Sequence, residues 1–139
     1  MMISHAATGR TDGRGSRKIL VIDARKAHLH AMAGREVFVD LPPEQHGPGM
    51  CARLNRCFYG TRDAPARWEA FLAEQLKLMA FTRGKASQCC YQYATRDLRC
   101  IVHGDDFVFL GPEHELRCAQ GRMEAQGLGS HPPSKARRL

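Results

Sequence analysis

The sequence predicts an α+β fold, an antiparallel sheet with two helices on one face, and three observations predict it. Two apolar runs, Cys100–Val102 and Phe107–Leu110, flank His103-Gly104-Asp105-Asp106, the pattern of a β-hairpin whose tight turn carries both acids. Trp68, Phe71, Leu72, Gln75, Leu76 and Met79 fall at helical spacing, with Glu69, Glu74 and Lys77 on other faces, so this stretch is an amphipathic helix facing a core. Finally, the elements run strand, strand, strand, helix, hairpin, helix, an order that suits an antiparallel sheet covered by helices.

In chain order, residues 1–16 are rich in Gly, Ser, Thr and Arg without periodicity and are expected to be a disordered basic lead-in. Lys18-Ile19-Leu20-Val21-Ile22-Asp23 reads as a buried strand ending on an acid. Arg35–Leu41 alternates until Pro42-Pro43 stops it, and Met50–Leu54 is a shorter strand. Ala64-Pro65 opens the helix, since proline's missing N–H costs nothing in a first turn. Cys90–Tyr93 and Leu98–Val102 pair around an Arg96-Asp97 turn, and the Asp-Asp hairpin follows. Pro112–Leu116 begins a last helix whose early acids oppose the helix dipole. Residues 129–139 are expected to be a flexible basic tail, leaving one domain over 17–128.

A chain of 139 residues supports one domain with a core and not two. Lys and Arg number 21 against 14 Asp and Glu, a net charge of +7, which suits a polyanionic partner. The cysteines at 51, 57, 89, 90, 100 and 118 contain no C-x-x-C pair, which argues against a zinc ribbon or a disulfide framework. Cys100-x-x-His103 is half a zinc site without its other half. No apolar run is long enough to span a bilayer, and an intracellular location, cytoplasmic or nuclear, is the expectation. His46, His114 and His131 are expected at the surface.

Two adjacent aspartates on a turn repel each other and have no packing use. A divalent cation resolves the conflict, because hard carboxylate oxygens are the ligands Mg²⁺ prefers. Asp23, at the end of its own strand, is the candidate third acid. Were that strand to pair beside the hairpin, three carboxylates would meet at one sheet edge and hold two metal ions. Taken singly, Asp23 is as well explained as a strand-end cap and Asp105-Asp106 as a turn signal.

The chain resembles the reverse transcriptase of Ty1/copia-type retrotransposons over roughly residues 18–118. Asp23-Ala24-Arg25-Lys26-Ala27-His28-Leu29-His30 is similar to the family's first motif, and Arg35–Pro43 to the segment after it. Leu54-Asn55-Arg56-Cys57-Phe58-Tyr59-Gly60-Thr61-Arg62-Asp63-Ala64-Pro65-Ala66-Arg67-Trp68 resembles the long Leu…Tyr-Gly-Leu-Lys-Gln-Ala-Pro…Trp signature. Cys89-Cys90-Tyr91 fits the strand motif, and His103-Gly104-Asp105-Asp106 stands where Tyr-Val-Asp-Asp is usual.

The resemblance implies a polymerase palm in which Asp23, Asp105 and Asp106 bind two Mg²⁺ ions (Mn²⁺ as a substitute), with Asp106 the least direct ligand and the Ala24 carbonyl completing one coordination sphere. It implies that His28 stands at the sugar-discriminating position, and that Tyr59, Gly60, Asp63 and Pro65 shape the floor beneath template base and nucleotide. Asp63 replaces the usual glutamine and is expected to cap the helix instead. The implied partners are an RNA or DNA template-primer, a deoxynucleoside triphosphate and the remaining domains of a Pol polyprotein. The implied reaction is in-line attack of a primer 3′-hydroxyl on the α-phosphate, releasing pyrophosphate. Fingers, thumb and ribonuclease H segments are not recognisable, and Lys18 is a poor substitute for a triphosphate grip, so little activity is expected of this chain alone. Two other functions are compatible: a non-catalytic palm remnant binding nucleic acid weakly, and a metal-dependent nuclease using the same acids on water.

Overall fold

The computed structural model describes residues 17–45 and 47–129. The expected lead-in over 1–16, His46, and the expected tail apart from Gly129 lie outside the described residues. Within them the chain divides into two compact units, one made of 17–25 with 73–129, the other of Lys26–Leu72.

The first unit holds a five-stranded antiparallel sheet, built from β1 (Arg17–Asp23), β4 (Thr82–Arg83), β5 (Cys90–Tyr93), β6 (Leu98–His103) and β7 (Asp106–Pro112), in the order β1-β7-β6-β5-β4. The second holds a two-stranded ribbon of β2 (Phe38–Asp40) and β3 (Cys51–Arg53) and the start of α1 (Ala64–Leu78). Helix α2 (Glu113–Ala125) follows β7 directly. The expected α+β class, with an antiparallel sheet and two helices, is the class observed.

The sheet's period of two sorts its side chains into two faces. Leu20, Phe109, Cys100 and Tyr91 are successive cross-strand partners, and so are Ile22, Phe107 and Val102. Apart from the half-buried Val102, all of these are buried, Phe107 and Phe109 completely, and their rings stack 6.2 Å apart. Phe81 adds an edge-on contact 6.0 Å from Phe109. Helix α2 and the end of α1 cover this face: Arg122 Nη1 donates to the Met79 carbonyl, while Met79, Phe81, Leu98 and Ala119 line one small hollow. Lys18 lies on the same side and pairs with Glu113 at the head of α2. The ammonium holds the Glu113 carboxyl below its ordinary value, so the pair stabilises the fold at neutral pH and is lost on acidification through that lowered pKa.

Both helices close with the same turn. At the end of α2, Gly127 is left-handed (φ 72°), Gly127 N–H donates to Glu124 O and Leu128 N–H to Met123 O, a Schellman motif with buried Leu128 as its apolar plug. At the end of α1, Ala80 N–H donates to Lys77 O and Phe81 N–H to Leu76 O, but the left-handed residue is Ala80 (φ 67°). A Cβ in that region costs about 1–2 kcal/mol. Ala80→Gly is therefore expected to raise stability by about 0.5–1 kcal/mol once the greater freedom of glycine in the unfolded chain is subtracted. Urea unfolding with an unchanged m-value checks it.

Three local expectations need correcting. The strand expected over 35–41 is only Phe38–Asp40; Phe38 and Val39 stay exposed on a two-stranded ribbon, so little burial extends the pairing, and Arg35 turns away to Asp63. Thr82–Arg83 is a strand, paired with Gln92 and Tyr91, which the expected order of elements does not include. The hairpin turn carries one acid, not two: Asp106 is already the first residue of β7.

Candidate functional site

Residues of β1, β6 and β7 bring the three expected acids together in the first unit. The β1–β7 register sets Asp23 opposite Asp106, and the β6–β7 register sets Asp106 opposite His103. Asp23, Asp106 and His103 therefore share a row, and with it the sheet face turned away from the buried phenylalanines. Directly opposed residues hold their Cβ atoms about 5 Å apart. Asp105 lies in the turn, and its carbonyl accepts a 2.8 Å hydrogen bond from Ala24 N–H. This bond ties the chain leaving β1 to the hairpin tip. Ala24 itself is buried.

The turn depends on Gly104. His103 and Asp106 pair across a two-residue loop, Gly104 has φ 63°, and Asp105 is not left-handed, the arrangement of a type II′ turn. A Cβ on Gly104 would meet nothing within 4 Å, so the cost of Gly104→Ala is backbone strain alone. It is expected to be about 1–2 kcal/mol, measured as a lowered denaturation midpoint.

All three carboxylates are exposed. Three other acids in this unit find cations: Asp97 takes Arg17 at 2.7 Å, Glu115 takes Arg96 at 2.9 Å and Glu113 takes Lys18 and Arg117. Asp23, Asp105 and Asp106 pair with none among the described residues. Like charges set directly opposite each other destabilise a sheet, and a divalent cation would reverse the sign of that interaction. As hard oxygen donors the three residues fit Mg²⁺ or Mn²⁺ chemically. As their side chains stand, no set of three His, Cys, Asp or Glu groups among the described residues encloses an ion.

In the second unit, a 3₁₀ turn over Ala27–His30 follows Lys26, which is left-handed (φ 56°). The His28 ring meets Tyr59 edge-on, centroids 4.6 Å apart at 78°, and its Nδ1 is enclosed with no hydrogen-bond partner. Tyr59 is half exposed, and Gly60 is left-handed at φ 87°. Asp63 contributes its backbone carbonyl to the first turn of α1, accepting from Arg67 N–H at 3.0 Å, while its carboxylate faces Arg35 Nε at 3.4 Å. Asp63 thus occupies the position expected of a cap, with its carboxylate on an arginine. Pro65 lies exposed in the same first turn. His30, which the sequence did not single out, stacks on Phe71 and tilts against Trp68. Its alternation with His28 was the available signal.

On the face bearing the acids, Ile19, Val21, Val108, Leu110 and Ile101 alternate with the buried row, beside Arg17 and Arg99; Leu110 is itself buried, while Val21 is 47% exposed. Three acids at one end of an antiparallel sheet suit metal-dependent catalysis. The family model for reverse transcriptase (RNA-dependent DNA polymerase) matches residues 12–119. The chain belongs to that family, in keeping with its Ty1/copia-type resemblance. The comparison with curated proteins finds no match. No helix among the described residues is long and apolar enough to cross a membrane.

Proposed function

We propose that the chain is the palm portion of an RNA-directed DNA polymerase, with Asp23, Asp105 and Asp106 as the carboxylates of a two-metal nucleotidyl-transfer centre. The observation that carries this reading is the unpaired Asp23–Asp106 cross-strand couple, with Asp105 tied beside it through Ala24. Two Mg²⁺ ions, when bound, supply activation of the primer 3′-hydroxyl and neutralisation of charge on the triphosphate and pyrophosphate. The protein's own part is to hold the ligands at one sheet end and to position substrates, without forming a covalent bond to them. Asp23 and Asp105 serve as the direct ligands and Asp106 as the less direct one, with the Ala24 carbonyl adding an oxygen. On the family resemblance, His28, packed on Tyr59, is assigned to the sugar of the deoxynucleoside triphosphate, and Tyr59, Gly60, Asp63 and Pro65 to the template-primer, RNA or DNA.

Lys18 has no part in gripping the triphosphate, because it sits on the helix-covered face and is engaged by Glu113. Affinity for nucleic acid follows the number of phosphates contacted, so the chain by itself is expected to extend primers weakly. Primer extension with the full chain, in Mg²⁺ and then Mn²⁺, tests the reading. Metal-dependent nucleotide addition supports it. A total absence of product, with nucleic acid still bound, supports the second reading, a non-catalytic palm remnant. The second reading draws on Asp63, a carboxylate held by Arg35 where the family has glutamine.

A further inference from the structure

The polymerase reading uses none of the cysteines, and they fall into three kinds. Cys57 and Cys100 are buried, and burial pushes both thiols up. Cys51 and Cys118 are isolated exposed thiols. Cys89 and Cys90 are adjacent, at the surface end of β5, Cys89 exposed and Cys90 half-buried.

The loop carrying this pair is held by its main chain. Cys90 N–H donates to Ser87 O at 3.3 Å, Arg83 Nε to Gln88 O at 2.7 Å, Val102 N–H to Cys89 O at 2.9 Å and Gly84 N–H to Cys90 O at 2.7 Å. Every carbonyl from Ser87 to Cys90 is engaged, so main-chain bonds fix the course of the loop. Ser87 Oγ lies 3.0 Å from Cys89 Sγ. Hydrogen bonding from Ser87, then from the Cys90 thiol, together with the Arg83 charge, brings the Cys89 thiol below its ordinary value despite some burial. A thiolate is thereby favoured next to a second thiol in a fixed frame.

Two sulfurs without a third protein ligand suit an acceptor that two thiolates satisfy. Among the described residues no set of three metal-ligating side chains is gathered, whereas soft thiolates select soft acceptors. We propose that Cys89 and Cys90 form a vicinal dithiol site for a thiophilic ion of the trivalent-arsenic class. With an organic arsenic(III) oxide, each sulfur makes one As–S bond, and the two thiol protons leave with the oxo oxygen as one water. No atom changes oxidation state. Binding there is independent of the polymerase reading, and its test requires no polymerase activity.

The test is reaction of the reduced full chain with phenylarsine oxide, followed by intact-mass measurement. One adduct that survives excess glutathione but is removed by 2,3-dimercaptopropanol is expected. Cys89→Ser and Cys90→Ser each lose the glutathione-resistant adduct, while Cys51→Ser/Cys118→Ser retains it. Peptide mapping of the wild-type adduct gives a check that needs no variant, with the arsenic on the peptide that contains both 89 and 90. A resistant adduct that persists in Cys90→Ser, maps elsewhere, or is stripped from the wild type by glutathione overturns the proposal.

Discussion

Phe109→Ala is expected to cost about 3–5 kcal/mol of folding stability, the largest structural effect of any single substitution considered for this chain. Phe109 is fully buried at the crossing of Leu20 and Cys100, its partners on either side, with Phe107 stacked along the strand and Phe81 edge-on from beyond. Truncation removes its own transfer free energy and leaves a void that four elements cannot collapse into without moving the sheet. Domains of this size are stable by about 5–15 kcal/mol, so the variant would keep little margin. Val21→Ala is the matched control on the opposite face: Val21 is 47% exposed, and a loss of about 1 kcal/mol or less is expected. Thermal or urea unfolding of the two variants side by side gives the contrast.

Asp105→Asn is expected to abolish metal-dependent primer extension. The amide keeps the size of the side chain and the turn's backbone, including the 2.8 Å bond from Ala24 N–H to the residue 105 carbonyl, so the fold is expected to survive. What goes is one anionic oxygen donor from a set of three, and Mg²⁺ binds neutral amide oxygen far less well than carboxylate. Asp23→Asn is expected to act in the same direction. Without metal, Asp106→Asn is expected to stabilise the sheet slightly, by about 0.2–1 kcal/mol, because it removes a directly opposed like charge. Loss of activity paired with unchanged or raised stability distinguishes a ligand from a structural residue. Extension by Asp105→Asn at the wild-type rate would rule out the assigned centre.

Much of this arrangement was legible in the sequence, for identifiable reasons. β1 is an uninterrupted apolar run, α1 a stripe of large side chains, and the β6–β7 hairpin two apolar runs around a glycine; each is a local pattern with burial behind it. The ribbon strands were overextended because alternation signals a half-buried strand, yet Phe38 and Val39 face solvent. Thr82–Arg83 was missed because two residues carry no period. Ala80 gave no sign of its left-handed backbone, since that sign is normally a glycine. At the site, the residue types were readable but their meeting was not. The partnership of Asp23 with Asp106 depends on a register between strands remote in the chain, and the sequence left open whether they met. The same register put Lys18 on the opposite face and gave it to Glu113, which charge counting alone does not reveal.

The most direct test is a Mn²⁺ titration followed by the loss of the free-ion electron paramagnetic resonance signal, on the wild-type chain and on Asp23→Asn and Asp105→Asn. Saturable binding by the wild type, competed by Mg²⁺ and weakened in both variants, is the predicted result. Equal binding by wild type and Asp23→Asn would contradict it, because the acid closing the first strand would then have no share in the ions held at the hairpin.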